Sequence, residues 1–164
     1  MVRANFESLV IPFRFLPYGH AALPYGEVEY AIFRRRDEGY WQSICGGGES
    51  GETPLQTAMR EANEEGGIPA DSRFFTLDTV VAYPMEPQED YGAAAADSYV
   101  TKQHCFAVEL PDHLIALSPE HTEYRWVGYD EAMRLLKWDS DKTALWELRE
   151  RIRRGAIKPD RPLH

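Results

Sequence analysis

The chain has 164 residues, 43% of them hydrophobic, and its 27 acidic and 18 basic side chains give a formal net charge of −9. We expect one globular domain over residues 1–164, because this length and apolar content support a single buried core. The acidic balance disfavours a protein that holds a nucleic acid polymer by neutralising its phosphates. A small anionic substrate would instead need a local arginine or divalent cations held by carboxylates.

Apolar and alternating segments predict strands in the first third of the chain. Residues 10–16 are mostly apolar, and apolar side chains recur at alternate positions in residues 28–33. Residues 17–26, between these strands, are rich in turn formers. Residues 41–45 predict another short strand, which we expect to end at the three glycines 46–48.

The hydrophobic period changes to that of an α-helix over residues 53–65. Four apolar side chains fall within roughly 100° of one another on a helical wheel, and they predict one buried helix face. These side chains are Leu55, Ala58, Met59 and Ala62.

The rest of the chain predicts further strands and two helices. The predicted strands are residues 74–82, 99–110 and 124–127. Residues 83–98, with their prolines and acids, predict a mobile loop. We expect Asp130 to cap a short helix, and residues 139–154 to form a longer helix that ends at Gly155. This order of elements predicts an α/β protein with a mixed sheet covered on its faces by helices.

Three glutamates share one edge of the predicted central helix. With Glu61 as the angular origin, Glu65 lies about 40° to one side and Glu64 about 60° to the other. Arg60 can pair with Glu64 one helical turn along the chain. Glu61 and Glu65 are then left for a hard cation such as Mg²⁺, and Glu52 in the preceding loop could join them. A solvated acidic helix face is the alternative on charge alone.

The spacing around this helix decides between the two interpretations. Residues 46–68 read GGGESGETPLQTAMREANEEGGI. This arrangement resembles the Nudix box, the loop-helix-loop signature of the Nudix hydrolase family. The matching positions are Gly46, Glu52, Arg60, Glu61, Glu64, Glu65, Gly67 and Ile68. Ala62 departs from the family pattern, which usually has a larger aliphatic residue there.

The resemblance implies an α/β/α sandwich around a mixed sheet. It also implies a Mg²⁺- or Mn²⁺-dependent hydrolase of a nucleoside diphosphate linked to another group. The implied catalytic residues are Glu52, Arg60, Glu61 and Glu64, and the implied metal ligands on the helix are Glu61, Glu64 and Glu65. Arg60 would orient a glutamate, while Gly46 and Gly67 would permit the loop turns.

Two segments outside the box carry a more particular resemblance. RRRDEGYWQSICGG, at residues 34–47, and SPEHTEYRWVGYDEA, at residues 118–132, are similar to the dihydroneopterin triphosphate pyrophosphohydrolase branch of the family. This resemblance implies that Glu120 reaches the helix as a further metal ligand. A solvated acid after Pro119 is the alternative.

Histidines and arginines supply other candidates. His104 and His121 could act as general bases, although a satisfied or solvated histidine is the commoner case. Arg35 and Arg36 are candidate phosphate contacts, with solvated side chains as the alternative.

Aromatic side chains could stack on a base or a pterin ring. Trp41 is the predicted substrate contact, and Tyr40 and Tyr83 are further candidates. Each also stands where an aromatic residue could belong to the core.

Three functions are compatible with these residues. The first is a pyrophosphohydrolase that cleaves dihydroneopterin triphosphate, dATP or another (d)NTP between the α and β phosphates. The second is a diadenosine polyphosphate hydrolase of the same family. The third is a catalytically silent Nudix binding module, against which the intact glutamate cluster argues.

The remaining features predict a small-molecule enzyme of the cytoplasm. Cys45 and Cys105 lack the CxxC or Cys/His spacing of a zinc site. The sequence has no apolar run long enough for a membrane span and no leader-like start. We expect a nucleotide-like substrate, no membrane contact and no obligate protein partner.

Overall fold

The computed structural model describes residues 2–17, 27–85, 98–111 and 115–160. Its strands are β1 (Arg3–Phe15), β2 (Val28–Arg35), β3 (Trp41–Gln42), β4 (Ile44–Glu49), β5 (Arg73–Pro84), β6 (Val100–Glu109) and β7 (His121–Val127). Its helices are α1 (Pro54–Gly66), α2 (Tyr129–Leu135) and α3 (Asp139–Arg153). Most of the predicted mobile loop at 83–98 lies outside the described residues. In the described part of the chain, no helix is long and apolar enough to cross a membrane.

The strands form one mixed sheet in the order β3-β2-β1-β6-β5, with β4 also pairing with β1 and β7 with β2. The β1 and β6 strands run parallel, whereas the other pairs are antiparallel. The predicted mixed sheet is therefore confirmed. The central strand β1 forms backbone hydrogen bonds with β2, β4 and β6.

Helices cover both faces because successive strand side chains point to opposite sides. On one face, Val10 and Phe33 pack with Ala58 and Ala62 of α1. On the other face, the larger cluster includes Leu9, Ile11, Cys105, Leu145, Leu148 and Ile152, the last three from α3. The predicted α/β/α arrangement follows from these two clusters.

Three sequence-based predictions about the elements are wrong in detail. The β4 strand continues through the glycines at 46–48, because Gly46 and Gly47 pair with Ser8 and Glu7 of β1. On α1, Leu55 is 39% exposed, and the buried face is turned toward Glu61 and Glu65. The short helix α2 begins after Gly128, without a side-chain cap from Asp130.

Candidate active site

The glutamate helix α1 is defined at both ends by its own sequence. The Thr53 hydroxyl accepts from the backbone N–H of Gln56 at 3.2 Å. The side-chain oxygen of Gln56 accepts in turn from the backbone N–H of Thr53 at 2.9 Å. This reciprocal cap satisfies two donors that the first turn leaves free. Gly67 follows the helix with φ of 66°, a left-handed conformation that favours glycine. Gly67 thus forms the turn that the sequence predicted.

A carboxylate from the loop before α1 holds Arg60. Glu52 accepts from Arg60 Nε at 2.8 Å and from Nη2 at 3.0 Å. The same carboxylate accepts from the Thr57 hydroxyl at 2.7 Å and from the Glu49 amide at 3.0 Å. The hydrogen bonds from Arg60 are the main reason that the pKa of Glu52 is lowered to about 2. Glu52 therefore positions Arg60, and its hydrogen bonds do not favour the alternative that it joins the metal ligands.

Arg60 links Glu52 to the glutamates of α1. Its Nη1 donates to Glu61 Oε1 at 2.6 Å and to Glu64 Oε2 at 3.3 Å. The predicted pair with Glu64 is present, but the contact with Glu61 is shorter. The Glu64 side chain is 57% exposed, at the solvent edge of the helix. Arg60 therefore fixes the orientation of the buried Glu61 carboxylate.

The glutamates of α1 include two buried acids. Glu65 is 3% exposed and Glu61 is 9% exposed. Burial, followed by the charges of Glu61 and Glu120, raises the pKa of Glu65 to about 9. Burial also raises the pKa of Glu61, although Arg60 opposes this shift. Among the described residues, none hydrogen-bonds to Glu65 Oε2. Such an unpaired buried oxygen is costly unless a cation or a proton satisfies it.

Gly46 lies in β4, beside the Glu61 carboxyl group. A Cβ atom added to Gly46 would overlap the carboxyl carbon and both carboxylate oxygens of Glu61. The glycines with positive φ in the described ranges are Gly39, Gly51, Gly67 and Gly155, so Gly46 has an ordinary backbone. The turn role predicted for Gly46 is therefore wrong. This glycine makes room for the Glu61 side chain.

The segment before β7 brings Glu120 toward α1. The charge of Glu120 contributes to the raised pKa values of both Glu61 and Glu65. Its own side chain is 58% exposed, and one oxygen lies 3.6 Å from Arg35 Nη1. The structure therefore places Glu120 near the two buried acids, as a remote ligand would require.

The two candidate phosphate-binding arginines differ in what they contact. Arg35 pairs with Asp37 at 2.7 Å and remains close to Glu120. Arg36 donates from Nε to the carbonyl of Pro119 at 2.7 Å, and its backbone N–H donates to the carbonyl of Glu120 at 2.9 Å. Arg36 therefore holds the segment that carries Glu120, whereas Arg35 faces the site.

The two candidate histidines lie in different places. His121 is 2% exposed, and its Nε2 is 3.8 Å from Glu65 Oε2. Burial and the charge of Arg35 lower the pKa of His121 to about 4, so its ring is neutral at pH 7. His104 instead packs edge to face against Phe6, with ring centroids 6.0 Å apart. The structure thus brings His121, and not His104, to the glutamates.

The donor set suits a hard divalent cation. Within the described ranges, no three acidic, histidine or cysteine side chains are already gathered closely enough to enclose a metal ion. Mg²⁺ commonly takes only one or two protein carboxylates and completes its shell with water and substrate phosphates. The unpaired Oε2 of buried Glu65 fits such a ligand. Glu61, Glu64 and Glu120 are the other acids that could hold the ion.

A cavity of about 610 Å³ lies where β1, β4 and β6 meet the start of α3. Tyr40, Tyr83 and Trp138 contribute its aromatic lining. The rings of Tyr40 and Trp138 meet edge to face at 5.5 Å between centroids. Trp41 lies instead in the core, 9% exposed and covered by the Arg125 guanidinium. This placement does not support the substrate contact predicted for Trp41.

Sequence analysis missed most of the polar residues of this cavity. They are Glu7, Gln42, Gln103, Asp139, Ser140 and Asp141, and the sequence analysis weighs Cys45 only as a possible zinc ligand. Glu7 and Gln103 stand in the mostly polar first halves of β1 and β6, where no local pattern distinguishes them as site residues. Which strands become neighbours was not visible in the pattern.

The profile of the NUDIX domain matches residues 23–147. The chain belongs to the Nudix family. It is 28% identical over 124 residues to a dihydroneopterin triphosphate diphosphatase of Haemophilus influenzae, covering 74% of this chain and 78% of that protein. It is 31% identical over 123 residues to an asymmetrical bis(5'-nucleosyl)-tetraphosphatase of Rattus norvegicus, covering 73% of this chain and 78% of that protein.

A solved structure extends the similarity to almost the whole chain. A NUDIX family protein of Listeria monocytogenes superposes with a TM-score of 0.76 and 35% sequence identity. The match covers 94% of this chain and 98% of that protein. Nudix hydrolases act on phosphoanhydride bonds and generally use divalent metals. The present chain is therefore a Nudix hydrolase of phosphoanhydride bonds.

Proposed function

We propose that this Nudix hydrolase cleaves dihydroneopterin triphosphate or a (d)NTP such as dATP between the α and β phosphates, releasing a monophosphate and pyrophosphate. The observation that carries the proposal is the buried Glu65 carboxylate, whose Oε2 has no partner among the described residues. It accepts from the backbone N–H of Cys45, which lines a cavity with three aromatic side chains. One feature suits a cation bound to phosphates and the other suits a planar ring.

The residues of the site have distinct roles in this reaction. Glu61, Glu64, Glu65 and Glu120 would hold Mg²⁺ or Mn²⁺, which supplies neutralisation of phosphate charge and a more acidic water. Glu52 holds Arg60, and Arg60 in turn orients Glu61. Arg35 would contact a phosphate, because it lines the cavity and its Nη1 lies 3.6 Å from a carboxylate oxygen of Glu120.

A diadenosine polyphosphate hydrolase is the second candidate function. It is favoured by the 31% identity to the asymmetrical tetraphosphatase of Rattus norvegicus. Both reactions require the same carboxylates, so the two candidates differ only in the substrate and in the bond that breaks.

Product analysis tests the proposal. Phosphate and pyrophosphate release are measured separately for dihydroneopterin triphosphate, dATP and diadenosine tetraphosphate at equal concentration with Mg²⁺. We expect pyrophosphate and a monophosphate from both triphosphates, with the pterin preferred. Inorganic phosphate as the first product would refute the proposal. A kcat/KM for the dinucleotide far above those of both triphosphates would establish the second candidate instead.

A further inference from the structure

The inner end of the 610 Å³ cavity is built by side chains from three adjacent strands. Glu7 of β1 is in register with Gln103 of β6, and Leu9 of β1 is in register with Cys45 of β4. Register partners on neighbouring strands point to the same face of a sheet. Glu7, Gln103 and Cys45 therefore meet on one surface, although 96 residues separate Glu7 from Gln103.

The hydrogen bonds of this surface use up its donors. Gln103 Nε2 donates to Glu7 Oε2 and to Cys45 Sγ, both at 3.2 Å. The Cys45 thiol donates to Glu7 Oε2 at 3.4 Å, and burial keeps its pKa well above the usual value. Because Glu7 and Cys45 accept from the amide nitrogen of Gln103, Oε1 is the remaining polar atom of that side chain.

Gln103 Oε1 is the exception to this satisfied network. Gln103 is only 8% exposed, and no group in the described part of the chain hydrogen-bonds to Oε1. A buried carbonyl oxygen without a partner costs free energy, and a ligand donor would remove that cost. Together with the Glu7 carboxylate, it makes this end of the cavity a surface of hydrogen-bond acceptors.

Cys45 and Arg35 indicate how a substrate would lie in the cavity. Cys45 connects the glutamates of α1 with the Glu7 end of the cavity, because its backbone N–H donates to Glu65 and its thiol donates to Glu7. Arg35 lines the cavity and lies 3.6 Å from Glu120. A substrate with its phosphates near Arg35 would therefore place its ring between the aromatic side chains, with the ring edge toward Gln103.

We propose that Glu7 and Gln103 select substrates whose ring presents adjacent N–H donors, as the 2-amino-4-oxo ring of a pterin or the equivalent edge of guanine does, over adenine. Two acceptors match a ring N–H beside an amino group. Adenine presents an amino donor beside the acceptor N1, so one acceptor would face another and Gln103 Oε1 would stay unpaired. This inference rests on the proposed function and adds the class of ring.

A series of purine triphosphates tests the selection in the unmodified enzyme. Deoxyguanosine triphosphate offers the ring N–H and the 2-amino group, deoxyinosine triphosphate offers only the ring N–H, and dATP offers neither on that edge. We expect kcat/KM to fall in this order, with the guanine substrate preferred over the adenine one by at least about 10-fold. Equal values, or a preference for adenine, would overturn the proposal.

Two variants assign the selection to its residues. Glu7→Gln supplies a donor as well as an acceptor, and Gln103→Met removes the amide. In each variant, kcat/KM for the guanine substrate is expected to exceed that for the adenine substrate by no more than about 3-fold. The ratio is independent of the folded fraction, so it remains informative in a destabilised variant. The control is Glu131→Gln, which removes one charge from the exposed surface of α2. A ratio unchanged in both cavity variants, or lost equally in the control, would overturn the assignment.

Equilibrium binding separates this proposal from the proposed reaction. Dissociation constants for dGMP and dAMP are measured without turnover, by the fluorescence of Trp138 and the other tryptophans. We expect dGMP to bind at least about 10-fold more tightly than dAMP. If no triphosphate is hydrolysed but this difference is present, the reaction is wrong and the ring selection stands. Equal binding, or no binding of either nucleotide, would overturn the ring selection whether or not triphosphates are cleaved.

Discussion

Single residues of α1 combine negative charge with burial. Glu65 is 3% exposed, lies beside the buried Glu61, and is only partly compensated by the Cys45 N–H. A helix that served only as a solvated surface would not place two carboxylates on its buried side. The arrangement is costly in the metal-free protein, and this cost indicates a functional constraint on these positions.

We expect Glu61→Gln or Glu65→Gln to lower kcat by at least ~10²-fold, because each change removes a charge that would hold the metal. The fold should persist, and the metal-free protein should become slightly more stable as repulsion is relieved. Steady-state kinetics with Mg²⁺ and thermal unfolding in EDTA measure the two effects. Turnover of both folded variants within a few-fold of the unmodified enzyme would contradict the metal site.

Glu120→Gln should raise the Mg²⁺ concentration that gives half-maximal rate, because the proposed ligand shell loses its remote carboxylate. The measurement is a Mg²⁺ titration of the initial rate. Glu123→Gln is the matched control, because Glu123 is a nearby acid of β7 that pairs with Arg34 of β2. Identical titrations for the Glu120 variant and the control would show that Glu120 is only a solvated acid.

At the scale of elements, the close approach of β4 to α1 determines where Glu61 can lie. The glycine at position 46 leaves the volume that the Glu61 carboxyl group occupies. Because that group is the end of a flexible side chain, an added methyl would displace it more readily than it would move the backbone.

Gly46→Ala should therefore lower kcat and Mg²⁺ affinity by about 10-fold or more, with little loss of stability. Gly47→Ala is the control, because its added Cβ would have Arg3 Nη1 as its nearest neighbour, at 3.8 Å. Thermal unfolding and a Mg²⁺ titration of the rate are measured for both variants. A large loss of stability in Gly46→Ala, or full activity, would disprove this role for the glycine.

At the scale of the whole molecule, Asp141 joins α3 to the sheet. It is 2% exposed and accepts from the Ser43 N–H at 2.7 Å. Burial raises its pKa from 3.8 to about 6 in the folded protein. A folded-state pKa above the unfolded value contributes stability that is fully present below about pH 4 and is lost as the pH rises through 6.

Asp141→Asn should remove this pH-dependent contribution, since the amide oxygen can still accept from Ser43 without carrying charge. The free energy of unfolding of the variant, relative to the unmodified protein, should rise between pH 4 and pH 7 by up to about 3 kcal/mol. Asp139→Asn, an exposed acid in the same helical turn, is the control. Denaturant unfolding across this range measures the difference, and parallel curves for the two proteins would contradict the prediction.

The sequence alone determined the type and order of the elements and the glutamate helix with its spacing. These features are local, because hydrophobic period, caps and motif spacing are properties of neighbouring residues. The turn at Gly67 followed from the same spacing. The cap at Thr53 is also local, although the sequence analysis does not name it.

Only the tertiary structure decided which groups meet. It assigned Glu52 to Arg60, placed Gly46 against the Glu61 carboxylate, and moved Trp41 into the core. It also brought Glu7 to Gln103 through the parallel pairing of β1 with β6. Strand pairing and the side of a helix that becomes buried depend on contacts between distant segments, which no local pattern specifies.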